Sequence, residues 1–193
     1  MTLLVVSNPV AYLSPEVLRE SQLLHFRMKS SDRRLDMQII PAVPVFEEWA
    51  RHISSGGQPQ DFHTRHIEFR RLLFLGVSAL TTELGPNVHP HMAPSGDDDV
   101  DWARHETRLI RPRGRLITEV KCVSQNGRYK CRMYFDSFGA HSWEFDGMQV
   151  DSIKTTVTST NGQWQYCDSL TGAVVDPNNP FDARIQSSRR TKR

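Results

Sequence analysis

Apolar and polar positions along this chain change period once, close to residue 100. Before that point apolar side chains recur every three or four residues, the signature of helices with one buried face. From Ser14 to about Lys29, Val17, Leu24 and Met28 share such a face. Ser14 supplies an N-cap, Pro15 the first helical position and Glu16 an acid in the first turn. A shorter helix is predicted over 44–54, striped by Val45, Phe46, Trp49 and Ile53, with Gly56 beyond its end. The longest is predicted over 62–84. Asp61 caps it, Phe62, His66, Phe69, Leu73, Val77, Leu80 and Leu84 form its stripe, and Gly85-Pro86 stops it. Leu3–Ser7 and Leu35–Pro41 read as short strands closed by proline.

After residue 100 the period falls to two. RLITEVKCVS, RYKCRMYFD, HSWEF, MQVDSIKTTVTS and QWQYCD are strand-like runs. Asn126-Gly127, Asp146-Gly147 and Asn161-Gly162 stand between them, and such dipeptides favour tight hairpins. Connections this short make the strands antiparallel. Helices followed by a meander predict an α+β fold, with N-terminal helices on one face of a sheet of about five strands. The predicted organisation is one domain over 1–183: a helical half (1–84), a Pro/Gly/Asp-rich loop (85–100) and a meander half (104–176). A basic, flexible tail (184–193) follows. The element order also resembles that of the NTF2-like fold, which implies a hydrophobic pocket for a small-ligand enzyme or a dimeric scaffold.

A two-residue turn at Asn126-Gly127 sets the register of its hairpin. Gln125 then faces Arg128, Lys121 faces Arg132, and Cys122 faces Cys131 at a non-hydrogen-bonded position. Leu116, Val120, Cys122, Cys131, Met133 and Phe135 point to one side, which is expected to pack under the helices. Free cysteines behave there as small apolar groups. A disulfide between the opposed pair and a metal site are the alternatives. The other side carries Glu119, Lys121, Lys130, Arg132 and Tyr134. The opposition of Lys121 to Arg132 is unfavourable unless something anionic lies near.

Composition narrows the class of protein. An apolar share of 38% with 24% charged residues suits a globular chain. No apolar run approaches the roughly 18 residues of a membrane span. The start of the chain lacks a basic n-region and a long apolar core, and three cysteines are an odd number; together these predict an intracellular protein, cytoplasmic or nuclear. The net charge of +2 conceals an asymmetry. Residues 1–103 carry 9 Lys+Arg against 13 Asp+Glu, and residues 104–193 carry 15 against 9.

That asymmetry points to a polyanion. The predicted nucleic-acid-binding set is Arg108, Arg111, Arg113 and Arg115 leading into Lys121, Arg128, Lys130 and Arg132. Tyr134 or Trp143 offers a stacking surface, and Arg189, Arg190, Lys192 and Arg193 add a basic tail. The expected function is therefore a non-enzymatic binding protein for nucleic acid or another polyanion, a profile that fits a viral or mobile-element accessory or structural protein. A protein-interaction or homo-oligomeric assembly module is an alternative. No cofactor is expected.

Two chemistries compete with that reading. Glu119-Val120-Lys121, with Asp101 upstream, resembles the PD-(D/E)xK nuclease pattern, which implies two acids on a divalent metal and a lysine beside the attacking water. The sequence departs from it where a tight hairpin follows the ExK strand and no strand precedes Asp101. His63 and His66, three apart on the predicted helix, suit a shared metal with His89 or His91. No CxxC, HExxH, P-loop, GxGxxG or GxSxG pattern is present.

Overall fold

A computed structural model describes residues 3–59, 63, 65–84, 116–136, 139–160 and 163–181. The predicted loop 85–100, the arginines of 104–115, Asp101, His89, His91 and the tail 184–193 lie outside these residues.

The described chain is mostly β, with 58% of it in strands and 17% helical, which overturns the expected α+β layout of helices on a meander. In chain order the elements are β1 (Leu4–Val5), α1 (Pro9–Tyr12), α2 (Pro15–Leu18), β2 (Gln22–Lys29), β3 (Arg34–Ile40) and α3 (Val43–Ser54). Then come β4 (His66–Leu75), β5 (Ser78–Leu84), β6 (Ile117–Gln125), β7 (Arg128–Phe135), β8 (Gly139–Phe145), β9 (Gly147–Thr160) and β10 (Gln163–Asp168). One antiparallel sheet has the order β1-β9-β4-β3-β2, with β10 also paired to β9. The other has the order β5-β8-β7-β6.

The first predicted helix breaks after one turn. Glu20 sits at φ +63°, so the helix begun at Pro15 stops and β2 starts. In β2, Leu23 pairs with Ile39 and His25 with Gln38, so Leu24 is an extra residue in a bulge. The bulge places buried Leu23 and Phe26 three residues apart, a spacing that imitates a helix.

The longest predicted helix is a pair of strands. Leu72, Leu73 and Phe74 are all buried, so β4 is covered on both faces at this end and loses its alternation. Gly76 at φ +64° then turns the chain between β4 and β5, and a side chain built there would run into the Asp146 carboxylate. Glycine is the residue that tolerates both demands. The 44–54 helix is present as α3, and Gly56 follows it at φ +88°.

The expected single meander is divided between the two sheets. Asn126 and Gly127 have φ +53° and +75°, the pattern of a type I′ turn, and β6 pairs with β7 as counted, down to Cys122 opposite Cys131. A shift between Ile117 and Glu119 turns Ile117 into the core and leaves Leu116 36% exposed, the reverse of the expected facing. At Asp146-Gly147 the chain does not reverse within one sheet. It leaves β8 and enters β9, which belongs to the other sheet.

By packing, the chain divides into two compact units. The first comprises Met1–Ile40 and Arg71–Asp151. Its core joins Phe26, Leu35, Met37 and Ile39 from β2 and β3 to Met133, Phe135, Trp143 and Phe145 from β7 and β8. Trp143, expected as a stacking surface, is instead buried in this core, and Phe74 lies edge-on to it and to Phe145, at 5.1 and 5.0 Å between ring centroids. The second unit comprises Pro41–Arg70 and Ser152–Arg193 and contains α3, the beginning of β4, the end of β9 and β10. Phe69, Ile153 and Val175 are buried in it, and Phe69 meets Tyr166 at 6.2 Å.

Candidate polyanion-binding surfaces

The hairpin alternation places Glu119, Lys121, Lys130, Arg132 and Tyr134 away from the core, as the register requires. The strands beside them bring carboxylates that the hairpin alone does not show. Arg132 is bound to Glu83 of β5 at 2.5 Å, Lys121 to Glu119 at 2.8 Å, and Arg128 to Asp146 at 2.6 Å and Glu144 at 3.4 Å. The Tyr134 ring lies 4.9 Å from the Arg132 guanidinium and 5.7 Å from the Lys121 ammonium. These contacts settle the opposition of Lys121 to Arg132, because each cation has an acid partner and both share an aromatic face. The hydrogen bond to Glu119, and then its charge, raise the Lys121 pKa above the usual lysine value. Lys130 faces Glu144 in register and has no ion pair among the described residues.

The charge count agrees with this picture. Residues 116–181 carry 5 Lys+Arg against 7 Asp+Glu, so this part of the basic half is net acidic. The positive excess of the second half resides in 104–115 and 182–193, each with five basic residues and one acid.

Sequence reading missed a second group of cations, in the unit that contains α3. Glu48, in the middle of α3, accepts hydrogen bonds from the backbone N–H of Arg65 at 3.0 Å and of His66 at 3.4 Å. This carboxylate therefore fixes the start of β4 against the helix. At the helix end the His52 Nε2 and the Gln58 carbonyl oxygen are 3.0 Å apart, and a Cβ at Gly57 would come within 2.3 Å of that ring, so a larger residue there displaces it. A concavity of about 440 Å³ results, lined by Glu48, Arg51, His52, Ser55, His63, Arg65 and His66. Arg51 and Arg65 have no carboxylate partner among the described residues. Trp164 of β10, 56% exposed, stands 6.2 Å from His63 between ring centroids. A period count could not find this group, because it treated 62–84 as one helix and so separated Arg65 from Arg51.

The alternative chemistries fare differently from one another. Glu119 and Lys121 share a face, as an ExK strand needs, but the lysine is engaged by that glutamate. His63 and His66 lie before and at the start of a strand, with His66 Nδ1 3.5 Å from Glu48, and not on a helix. Among the described residues no group of three or more His, Cys, Asp or Glu is arranged to hold a metal ion. Among the same residues no helix is long and apolar enough to cross a membrane. No protein-family model matches the chain, and neither does any curated protein or solved structure.

Proposed function

We propose that this chain is a non-enzymatic binding protein for a polyanion, with single-stranded nucleic acid as the ligand class. The observation that carries the reading is the α3–β4 concavity, where Arg51 and Arg65 stand without carboxylate partners among the described residues and His63 of the same lining is 6.2 Å from the exposed Trp164 ring. Guanidinium groups placed this way suit phosphates, and an exposed indole suits stacking on a base. The arginines at 108, 111, 113 and 115, with Arg189, Arg190, Lys192 and Arg193, supply most of the remaining charge. The β6–β7 face contributes less, since Glu119, Asp146 and Glu83 neutralise Lys121, Arg128 and Arg132.

Binding of labelled single-stranded RNA and DNA across a salt series tests this. Affinity falls steeply with salt, and Arg51→Ala with Arg65→Ala lowers the log–log slope by about 1.5, at roughly 0.7–0.9 for each phosphate no longer neutralised. Trp164→Ala weakens binding about tenfold at fixed salt, as removal of one stacked base does. Lys121→Ala with Arg132→Ala leaves the slope unchanged. Absence of binding at low salt overturns the proposal.

A second reading, a homo-oligomeric assembly module, rests on α3 itself. Phe46, Trp49 and Val43 are 55%, 43% and 40% exposed, an apolar display that suits burial against a second copy. Sedimentation across a concentration series tests it: a concentration-independent monomer rules it out.

A further inference from the structure

We propose that Cys122 and Cys131 form a reversible dithiol–disulfide couple, a redox-modified staple across the β6–β7 hairpin. The two residues are directly opposed in the strand register. Counting outward from the Asn126-Gly127 turn, they occupy a non-hydrogen-bonded pair, where Cα atoms approach to about 4.5 Å. That separation lies at the short end of the range a disulfide spans. The type I′ turn holds the register, so the sulfurs cannot slide past each other. β6 is the last strand of its sheet; its start is tied on the other side, where the Ile117 backbone bonds Glu20 and Ser21. Beside Cys122 no further strand is paired to it among the described residues, so drawing the pair together moves a segment held from the β7 side.

Access to the two thiols is unequal, as a two-step exchange requires. Cys122 is partly exposed at the margin of the core, whereas Cys131 is fully buried with Trp143 opposite it on β8. A hydrogen bond from the Cys131 thiol lowers the Cys122 pKa below the ordinary thiol value, while burial and then that same bond raise Cys131. Cys122 is thus the attacking sulfur and Cys131 the resolving one. Cys167, the third cysteine, faces Thr156 and has no opposed thiol.

The oxidant is a low-molecular-weight disulfide. Cys122, as thiolate, attacks one of its sulfurs, forming a mixed disulfide and releasing one small thiolate. Cys131 gives up its proton and attacks the Cys122 sulfur, which releases the second thiolate. Two electrons pass from the protein to the small disulfide, and the two thiol protons end on the two small thiols.

The test uses the full chain with Cys167→Ser, equilibrated in glutathione buffers of rising oxidised fraction, alkylated in denaturant and weighed intact. A species lighter by two hydrogens, with neither remaining thiol alkylated, is expected to accumulate along one sigmoid and to revert under dithiothreitol. The part of the tryptophan emission that Trp143→Phe removes falls in step, because a disulfide beside an indole quenches it. Cys131→Ala in the same background traps one glutathione on Cys122. Full alkylation of both thiols at the most oxidising ratio overturns the proposal, and that outcome needs no core substitution.

Discussion

Thr82 Oγ1 and His141 Nδ1 are 3.0 Å apart, joining β5 to β8. The imidazole lies between aromatic rings, 4.6 Å from Phe26 and 5.4 Å from Phe135 between centroids. Burial lowers its pKa from 6.5 to about 4. The folded chain therefore holds this ring neutral where the unfolded chain protonates it. Stability from this group is complete above pH 6.5, declines as pH falls, and levels off near pH 4. The loss amounts to about 3 kcal/mol, at 1.36 kcal/mol per pKa unit. Urea midpoints measured across this range show the decline, and His141→Phe reduces it by that amount.

Gly76→Ala is expected to destabilise the fold by about 2 kcal/mol or more, because φ is +64° there and alanine in that region costs about 1–2 kcal/mol. The added Cβ also falls on the Asp146 carboxylate, which Arg128 holds in place at 2.6 Å. Denaturant titration checks the cost, and Asp146→Gly restores part of it by removing the obstacle. A neutral Gly76→Ala variant contradicts this account.

Arg71 on β4 meets Asp36 on β3 through two nitrogens, with Nε to Oδ1 at 3.0 Å and Nη2 to Oδ2 closing the fork. The side chains are 26% and 21% exposed, so the pair is partly shielded from water. Arg71→Met leaves the carboxylate without its partner and costs about 2 kcal/mol. The double variant Arg71→Met with Asp36→Leu recovers most of that loss. A double-mutant cycle by thermal unfolding separates the two effects.

Phe74→Ala removes the ring that meets Trp143 and Phe145 edge-on, in a fully buried position. A cost of about 3–5 kcal/mol is expected. With the other three tryptophans replaced by phenylalanine, Trp143 emission shifts to the red if the cavity admits water, which provides an optical check beside the unfolding curve.

The hairpin was legible because its determinants are local. Asn126-Gly127 specifies a type I′ turn, and counting outward from it places Cys122 opposite Cys131 and Lys121 opposite Arg132 without reference to any other segment. The helix of α3 was also legible, from its stripe and the glycine after it. Strands β2, β4 and β5 were not, because a bulge at Leu24 and burial of β4 on both faces replace a period of two with spacings that suit a helix. Gly76 within the supposed 62–84 helix was the available warning, since glycine weakens a helix interior by about 1 kcal/mol relative to alanine.

Sequence alone determined the charge asymmetry, the tight turn and the alternation that turns Lys121, Arg132 and Tyr134 away from the core. It could not determine what stands beside those side chains. Strand order decided that: β5 and β8 deliver Glu83 and Glu144 to the hairpin, so the apparent cationic face is balanced by acids distant in the chain. Strand order also divided the meander at Asp146-Gly147. The association of Arg51 with Arg65 depends on Glu48 capturing backbone N–H groups that no sequence period reveals. Coulomb and hydrogen-bond energies depend on distance through space, and only the folded chain sets those distances.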